Sequence, residues 1–147
     1  ITDAGTPCIS DPGYLLVNKC RKKEINIFSI PGASSAIAAL SISGLPCDSF
    51  YFEGFLPKKK GRQTKFNFLD TLNCTIIIFE SPKRVLKTLL DIKKYMGGER
   101  RISIHREITK MYEETFWGCI DESIDYFSSK NCKGEFVFIV AKESYVL

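Results

Sequence analysis

Cys74-Thr75-Ile76-Ile77-Ile78-Phe79-Glu80-Ser81-Pro82-Lys83-Arg84 decides the fold of this 147-residue chain. Residues 74–79 form a near-continuous apolar run, the pattern of a strand buried on both faces. The run stops at Glu80-Ser81-Pro82. Ser81 is placed to cap a helix and Pro82 to open it, because proline's fixed φ suits the first helical turn and its missing N–H is not needed there. Beyond it, Leu86, Leu89, Leu90 and Met96 share one helical face, with Val85 and Ile92 flanking, and Gly97-Gly98 ends the helix. The unit is strand, tight turn, helix.

The same grammar repeats on both sides. Towards the N-terminus, Tyr14 opens a short helix that ends in Lys19, Arg21, Lys22 and Lys23, and residues 24–30 read as a buried strand. Pro31-Gly32 stops that strand, and Ser34 or Ser35 caps a helix over 36–42, closed by Gly44. Residues 49–56 are aromatic and extended, and 64–72 read as a helix. Towards the C-terminus, residues 101–105, 112–119 and 134–140 read as extended, with a short amphipathic helix over 121–127. Alternating strands and helices give an α/β class. Leu45-Pro46-Cys47-Asp48 interrupts the pattern, so the expected domains are 1–48 and 49–147.

Composition narrows the classes further. Hydrophobic residues make up 44% of the chain, with 11 Phe and 6 Tyr, enough for packed cores and against disorder. No apolar run approaches the ~20 residues that cross a bilayer, so no membrane partner is expected. The six cysteines are scattered without a CxxC pair, which fits reduced thiols in the cytoplasm and gives no metal site. Net charge is only +4, but Lys58, Lys59, Lys60, Arg62 and Lys65 cluster with no acidic residue between Glu53 and Asp70. Such a patch suits a polyanion as well as it suits a solvated loop. His105, the single histidine, lies in a strand with no Cys or acidic partner beside it and reads as a core residue. Trp117 and the phenylalanines read as core too, although an aromatic beside the basic turn could stack on a base.

Three junctions carry residues that leave main chain bare to a ligand: Asp3 to Pro7, Pro31 to Ser34, and Glu80 to Arg84. In open α/β sheets, ligands collect beyond the carboxyl ends of strands, near helix N-termini. Each alone is equally well a structural turn. As an ordered set, Asp3-Ala4-Gly5-Thr6-Pro7 with Ser10-Asp11-Pro12-Gly13, Pro31-Gly32-Ala33-Ser34 and Ser43-Gly44-Leu45-Pro46 resemble the tetrapyrrole methylase family. Phe52-Glu53-Gly54-Phe55-Leu56-Pro57-Lys58, Phe79-Glu80-Ser81-Pro82-Lys83-Arg84, Arg106-Glu107-Ile108-Thr109-Lys110 and Lys133-Gly134-Glu135-Phe136 are similar to its ribosomal-RNA-modifying branch.

The resemblance implies a two-domain α/β methyltransferase, homodimeric, with S-adenosylmethionine in the cleft between domains. This chain would supply the C-terminal part of the first domain and the whole second domain. The implied substrate is the ribose 2′-hydroxyl of a cytidine in small-subunit ribosomal RNA. Asp3, Ala4, Gly5, Thr6, Pro31, Gly32 and Ser34 fall in the implied cofactor loops. Lys58, Lys59, Lys60, Arg62, Lys83 and Arg84 become RNA-binding candidates. A ribose hydroxyl needs a proton acceptor within hydrogen-bond reach, and Glu80, Glu107 and Lys110 are the catalytic candidates. Glu80 is expected to face the cleft from its strand end, and Glu107 to pair with Arg106.

Two departures stand out. The family's first strand and Gly-rich loop have no counterpart here, and the chain starts with Ile1, so an N-terminal truncation with little activity of its own is expected. Lys83 stands where the branch more often has His. A porphyrin-precursor methylase and a non-catalytic RNA-binding remnant are the alternative readings.

Overall fold

The computed structural model describes Thr2 and residues 4–145. The chain divides into two compact units, 1–35 and 36–147. The division falls earlier than the expected 48/49 boundary because the helix over Ser35–Ile42 shares a core with the second unit, as set out below.

The first unit holds an irregular loop over residues 4–13 and helix α1 (Tyr14–Lys22), opened at Gly13. Gly13 has φ +142°, and a Cβ there would sit 2.6 Å from Cys8 Sγ, so only glycine lets the loop fold back on Cys8. Lys19, Arg21 and Lys22 occupy the last turn of α1, where their charge complements the helix C-terminus. The expected strand over 24–30 does not form, and Phe28 and Ile30 are each 82% exposed. A strand exists through its neighbours' hydrogen bonds, and none of the described residues takes that place.

The second unit is a five-stranded mixed sheet: β1 (Phe50–Phe55), β2 (Thr75–Glu80), β3 (Arg101–Arg106), β4 (Glu114–Cys119) and β5 (Phe136–Val140), in the order β1-β2-β5-β3-β4. Only β1 and β2 run parallel; the other pairs are antiparallel. β1 shifts register between Phe52 and Gly54, a bulge that Gly54 accommodates with φ +69°. β2 is buried on both faces, as its continuous apolar run requires: Ile76 and Ile78 join one core and Ile77 the other.

Helices α3 (Arg62–Asp70), α4 (Val85–Met96) and α5 (Ile120–Ser128) cover one face. Their Phe66, Leu69, Leu89, Ile92, Ile120 and Phe127 pack on Ile76, Ile104 and Phe138. α2 (Ser35–Ile42) covers the other face, with Ala36, Ala39 and Leu40 against Ile77, Val137 and Ile139. Its small side chains therefore serve close helix–sheet packing. On α4 the buried stripe is Val85, Thr88, Leu89, Ile92 and Met96, while the expected Leu86 and Leu90 are exposed. A short 3-10 turn, Pro82–Arg84, precedes α4. Pro82 opens that turn as expected, but the Ser81 hydroxyl does not cap it. α5 opens with a reciprocal cap: Cys119 Sγ accepts from the Glu122 N–H at 3.5 Å, and Glu122 Oε2 accepts from the Cys119 N–H at 2.7 Å.

Candidate functional site

Two of the three junctions meet inside the first unit. The Thr6 hydroxyl donates to the Ala33 carbonyl at 3.0 Å, tying residues 4–7 to residues 31–34. A Cβ on Gly32 would come to 3.5 Å from Thr6 Oγ1, and one on Gly5 to 3.6 Å from the Ala33 oxygen. Gly5 has φ +69°, a conformation that L side chains strain to adopt. Ala4, Gly5, Pro31, Gly32 and Ala33 are exposed and Thr6 and Ser34 half-buried, so the two segments present a joined strip of accessible main chain. Asp3 lies outside the described residues.

The third junction is a polar centre in the second unit. Because side chains alternate along a strand, Glu80 follows Ile76 and Ile78 onto the α4 face of the sheet. It is 2% exposed, not open at the strand end as expected. Glu80 Oε1 accepts from the Ser81 N–H at 2.6 Å and pairs with Arg84 Nη2 at 2.7 Å. Glu80 Oε2 accepts from the Thr88 hydroxyl at 2.6 Å. Arg84 Nη1 donates to the Leu56 carbonyl at 3.0 Å.

Arg62 enters the same centre. Its Nε pairs with Asp91 at 2.7 Å, Nη2 donates to the Thr88 hydroxyl at 2.8 Å, and Nη1 to the Pro57 carbonyl at 3.1 Å. Arg62, expected among the RNA-binding residues, is buried and bonded at all three nitrogens inside this centre. Arg84 is likewise committed inward. By contrast Lys58, Lys59, Lys60 and Lys83 are exposed and form no ion pair among the described residues. Lys65 pairs with Glu53 at 3.1 Å.

The remaining catalytic candidates occupy the turn after β3. Glu107 and Thr109 have φ +50° and +65°, left-handed values that non-glycine residues hold only when their surroundings fix them. The fixing bonds are visible. Glu107 Oε1 accepts from Lys110 Nζ at 3.0 Å and from the Glu135 N–H at 2.8 Å, and Lys110 also reaches Glu135 Oε2 at 3.0 Å. Gly134 has φ +85°, and a Cβ there would come within 2.5 Å of Glu107 Cγ.

The Glu135 N–H and the Lys110 ammonium hold the Glu107 carboxyl below its ordinary range. The same carboxylates raise Lys110. Arg106 does not pair with Glu107 as expected; it lies 3.3 Å from Glu114, across the β3–β4 ladder. His105 is fully buried, with Nε2 at 2.9 Å from Ser103 Oγ and Nδ1 at 3.1 Å from Thr115 Oγ1. Burial lowers its pKa, against a smaller opposing effect of Glu113.

Sequence reasoning did not single out Thr88, Asp91 or Glu135. The signal for Thr88 was present: a polar residue amid the Val85, Leu89 and Ile92 stripe. Among the described residues no group of three or more His, Cys, Asp or Glu could hold a metal ion, and no helix is long and apolar enough to cross a membrane.

The chain is similar in sequence and in fold to known proteins. Ribosomal RNA small subunit methyltransferase I of Synechocystis sp. is 46% identical over 143 residues, covering 96% of this chain and 51% of that protein. The protein of the same name from Thermotoga maritima is 42% identical over 141 residues, covering 96% and 63%. The chain thus spans about half to under two thirds of these relatives' length.

Among solved structures, the methyltransferase CobJ superposes with a TM-score of 0.69 at 13% identity, covering 97% of this chain and 64% of that one. Uroporphyrin-III C-methyltransferase from Thermus thermophilus, complexed with S-adenyl homocysteine, gives 0.61 at 11% identity, covering 92% and 62%. At such identities the likeness speaks for the fold alone. The family model for tetrapyrrole (corrin/porphyrin) methylases matches residues 1–122, and the chain belongs to that family.

Proposed function

We propose that this chain acts in S-adenosylmethionine-dependent methylation of small-subunit ribosomal RNA, at the ribose 2′-hydroxyl of a cytidine. The observation that carries the substrate class is the 46% identity over 143 residues with a protein named for that RNA. The exposed lysines at 58–60, which form no ion pair among the described residues, agree with it, since phosphate contacts supply affinity without reading sequence.

The first unit fits the cofactor in kind. S-adenosylmethionine has polar groups that suit main-chain donors and acceptors, and the Thr6–Ala33 bond joins two loops of small residues with exposed main chain. Ala4, Gly5, Thr6, Pro31, Gly32 and Ser34 would hold it. When bound, it supplies an electrophilic methyl group on a sulfonium. Alignment of the hydroxyl with that methyl is the principal task left to the protein.

The three candidate proton acceptors, Glu80, Glu107 and Lys110, suit other work. Glu80 is saturated by Ser81, Arg84 and Thr88. Glu107 is held ionised at low pKa and Lys110 stays protonated, so the pair gives a fixed charge arrangement next to the β3 end. We read Lys83 with Lys58, Lys59 and Lys60 as the RNA-facing set, the assembly as a homodimer, and the compartment as the cytoplasm.

Calorimetric titration of S-adenosylmethionine into this chain and into a form extended upstream of Ile1 tests the cofactor assignment. Saturable binding by the extended form, weakened by Gly32→Val, is expected. No binding by either form would turn the assignment towards a non-catalytic RNA-binding module.

A further inference from the structure

Arg62 and Arg84 grip adjacent main-chain carbonyls, those of Pro57 at 3.1 Å and Leu56 at 3.0 Å. These two residues lead directly into Lys58, Lys59 and Lys60. Behind the carbonyls the two guanidiniums are joined: Arg62 Nη2 donates to Thr88 Oγ1 at 2.8 Å, Thr88 Oγ1 to Glu80 Oε2 at 2.6 Å, and Glu80 Oε1 meets Arg84 Nη2 at 2.7 Å. The result is a closed ring of Leu56-Pro57, Arg62, Thr88, Glu80 and Arg84. Arg62, Thr88 and Glu80 are at least nine-tenths buried. With Asp91 on Arg62 Nε, two positive charges meet two negative ones, so the ring itself offers a polyanion no net attraction.

We propose that this ring is a positioning device for RNA binding: it fixes the turn that displays Lys58, Lys59 and Lys60, and Thr88 is the positioning residue that closes it. The proposal rests on the RNA reading above. Three lysines on a mobile turn would lose conformational freedom when phosphates lock onto them, and that loss subtracts from affinity. A turn whose first two carbonyls are already held by the guanidiniums of Arg62 and Arg84 has lost that freedom on folding. Thr88 is the one neutral member of the ring besides main chain. Its hydroxyl both accepts and donates, so replacing it opens the ring without changing net charge.

The test is fluorescence anisotropy of labelled oligouridylate with the 147-residue chain, native and with Thr88→Val or Thr88→Ser. Each is also made in a background of Lys58→Ala, Lys59→Ala and Lys60→Ala. Opening the ring should weaken binding about tenfold; Thr88→Ser should restore it. In the triple-alanine background, Thr88→Val should have no further effect, the non-additivity expected of residues that act through one another.

The proposal is overturned if Thr88→Val binds as the native chain does, or costs the same factor in both backgrounds, as a general weakening of the fold would. If the native chain does not bind, or triple alanine binds unchanged, the RNA reading of the turn fails and the ring's role with it. Should Thr88→Val fail to give a cooperative thermal transition, Arg62→Lys takes its place, because it keeps a charge for Asp91 but loses the fork that spans Pro57 and Thr88.

Discussion

Replacing Lys58, Lys59 and Lys60 together by alanine tests the RNA surface by a number that contacts inside the protein do not produce. All three ammonium groups are exposed and form no ion pair among the described residues. Each is therefore available to displace a condensed counterion from a phosphate. For single-stranded nucleic acid the slope of log K against log salt changes by about 0.7 per contact, so three contacts amount to roughly 2. Between 50 and 200 mM salt, a slope change of about 2 is a difference of some twentyfold in how much affinity is lost.

The assay is anisotropy of a labelled oligoribonucleotide across that salt range. The triple variant should bind more weakly at low salt and show the flatter line, while Lys65→Ala, whose ammonium already faces Glu53 at 3.1 Å, should change the slope least. A triple variant with the native slope would refute the reasoning and remove this turn from the interface.

Three further outcomes follow from the geometry. Glu80→Ala leaves the Arg84 guanidinium without its buried partner and should cost about 3–5 kcal/mol in urea unfolding; a loss under about 1 kcal/mol would mean that the polar centre is not structural. Gly134→Ala forces a side chain onto φ +85° and into Glu107 Cγ, and should destabilise by at least about 1 kcal/mol, with amide exchange at residues 107–110 speeded; unchanged exchange would contradict the packing. His105 is held neutral by burial. Near pH 8 both folded and unfolded forms are neutral there and stability is indifferent to it. As pH falls below about 6.5 the unfolded chain takes up a proton that the folded one refuses, so stability falls. His105→Gln should flatten that dependence between pH 7 and 5.5, above the range in which carboxylates titrate; equal pH dependence in both proteins would refute the assignment.

What the sequence disclosed, and what it did not, divides along local against non-local physics. β2 and the turn that Pro82 opens ahead of α4 were legible because an apolar run and a proline act within a few residues of each other. The strand expected at 24–30 was not, because Ile25, Ile27 and Ile30 state only a preference, and pairing depends on a neighbour at another place in the chain. The same limit explains Arg62 and Glu80. Spacing put Glu80 at its junction and Arg62 in the basic cluster, but only the fold turns Glu80 inward behind Ile78 and sets Asp91 and Thr88 against Arg62. The bond between Thr6 and Ala33 is another such case: each loop was recognisable, their meeting was not.

The central claim is methyl transfer to a ribose of small-subunit RNA. The direct measurement is incubation of unmethylated small-subunit RNA with tritiated S-adenosylmethionine and the upstream-extended chain, followed by alkaline hydrolysis. A 2′-O-methyl group blocks cleavage of the adjoining phosphodiester, so the account predicts label in an alkali-resistant dinucleotide that begins with cytidine, reduced by the triple lysine variant. Label confined to alkali-labile mononucleotides, or transfer to a porphyrin precursor with none to RNA, would contradict it.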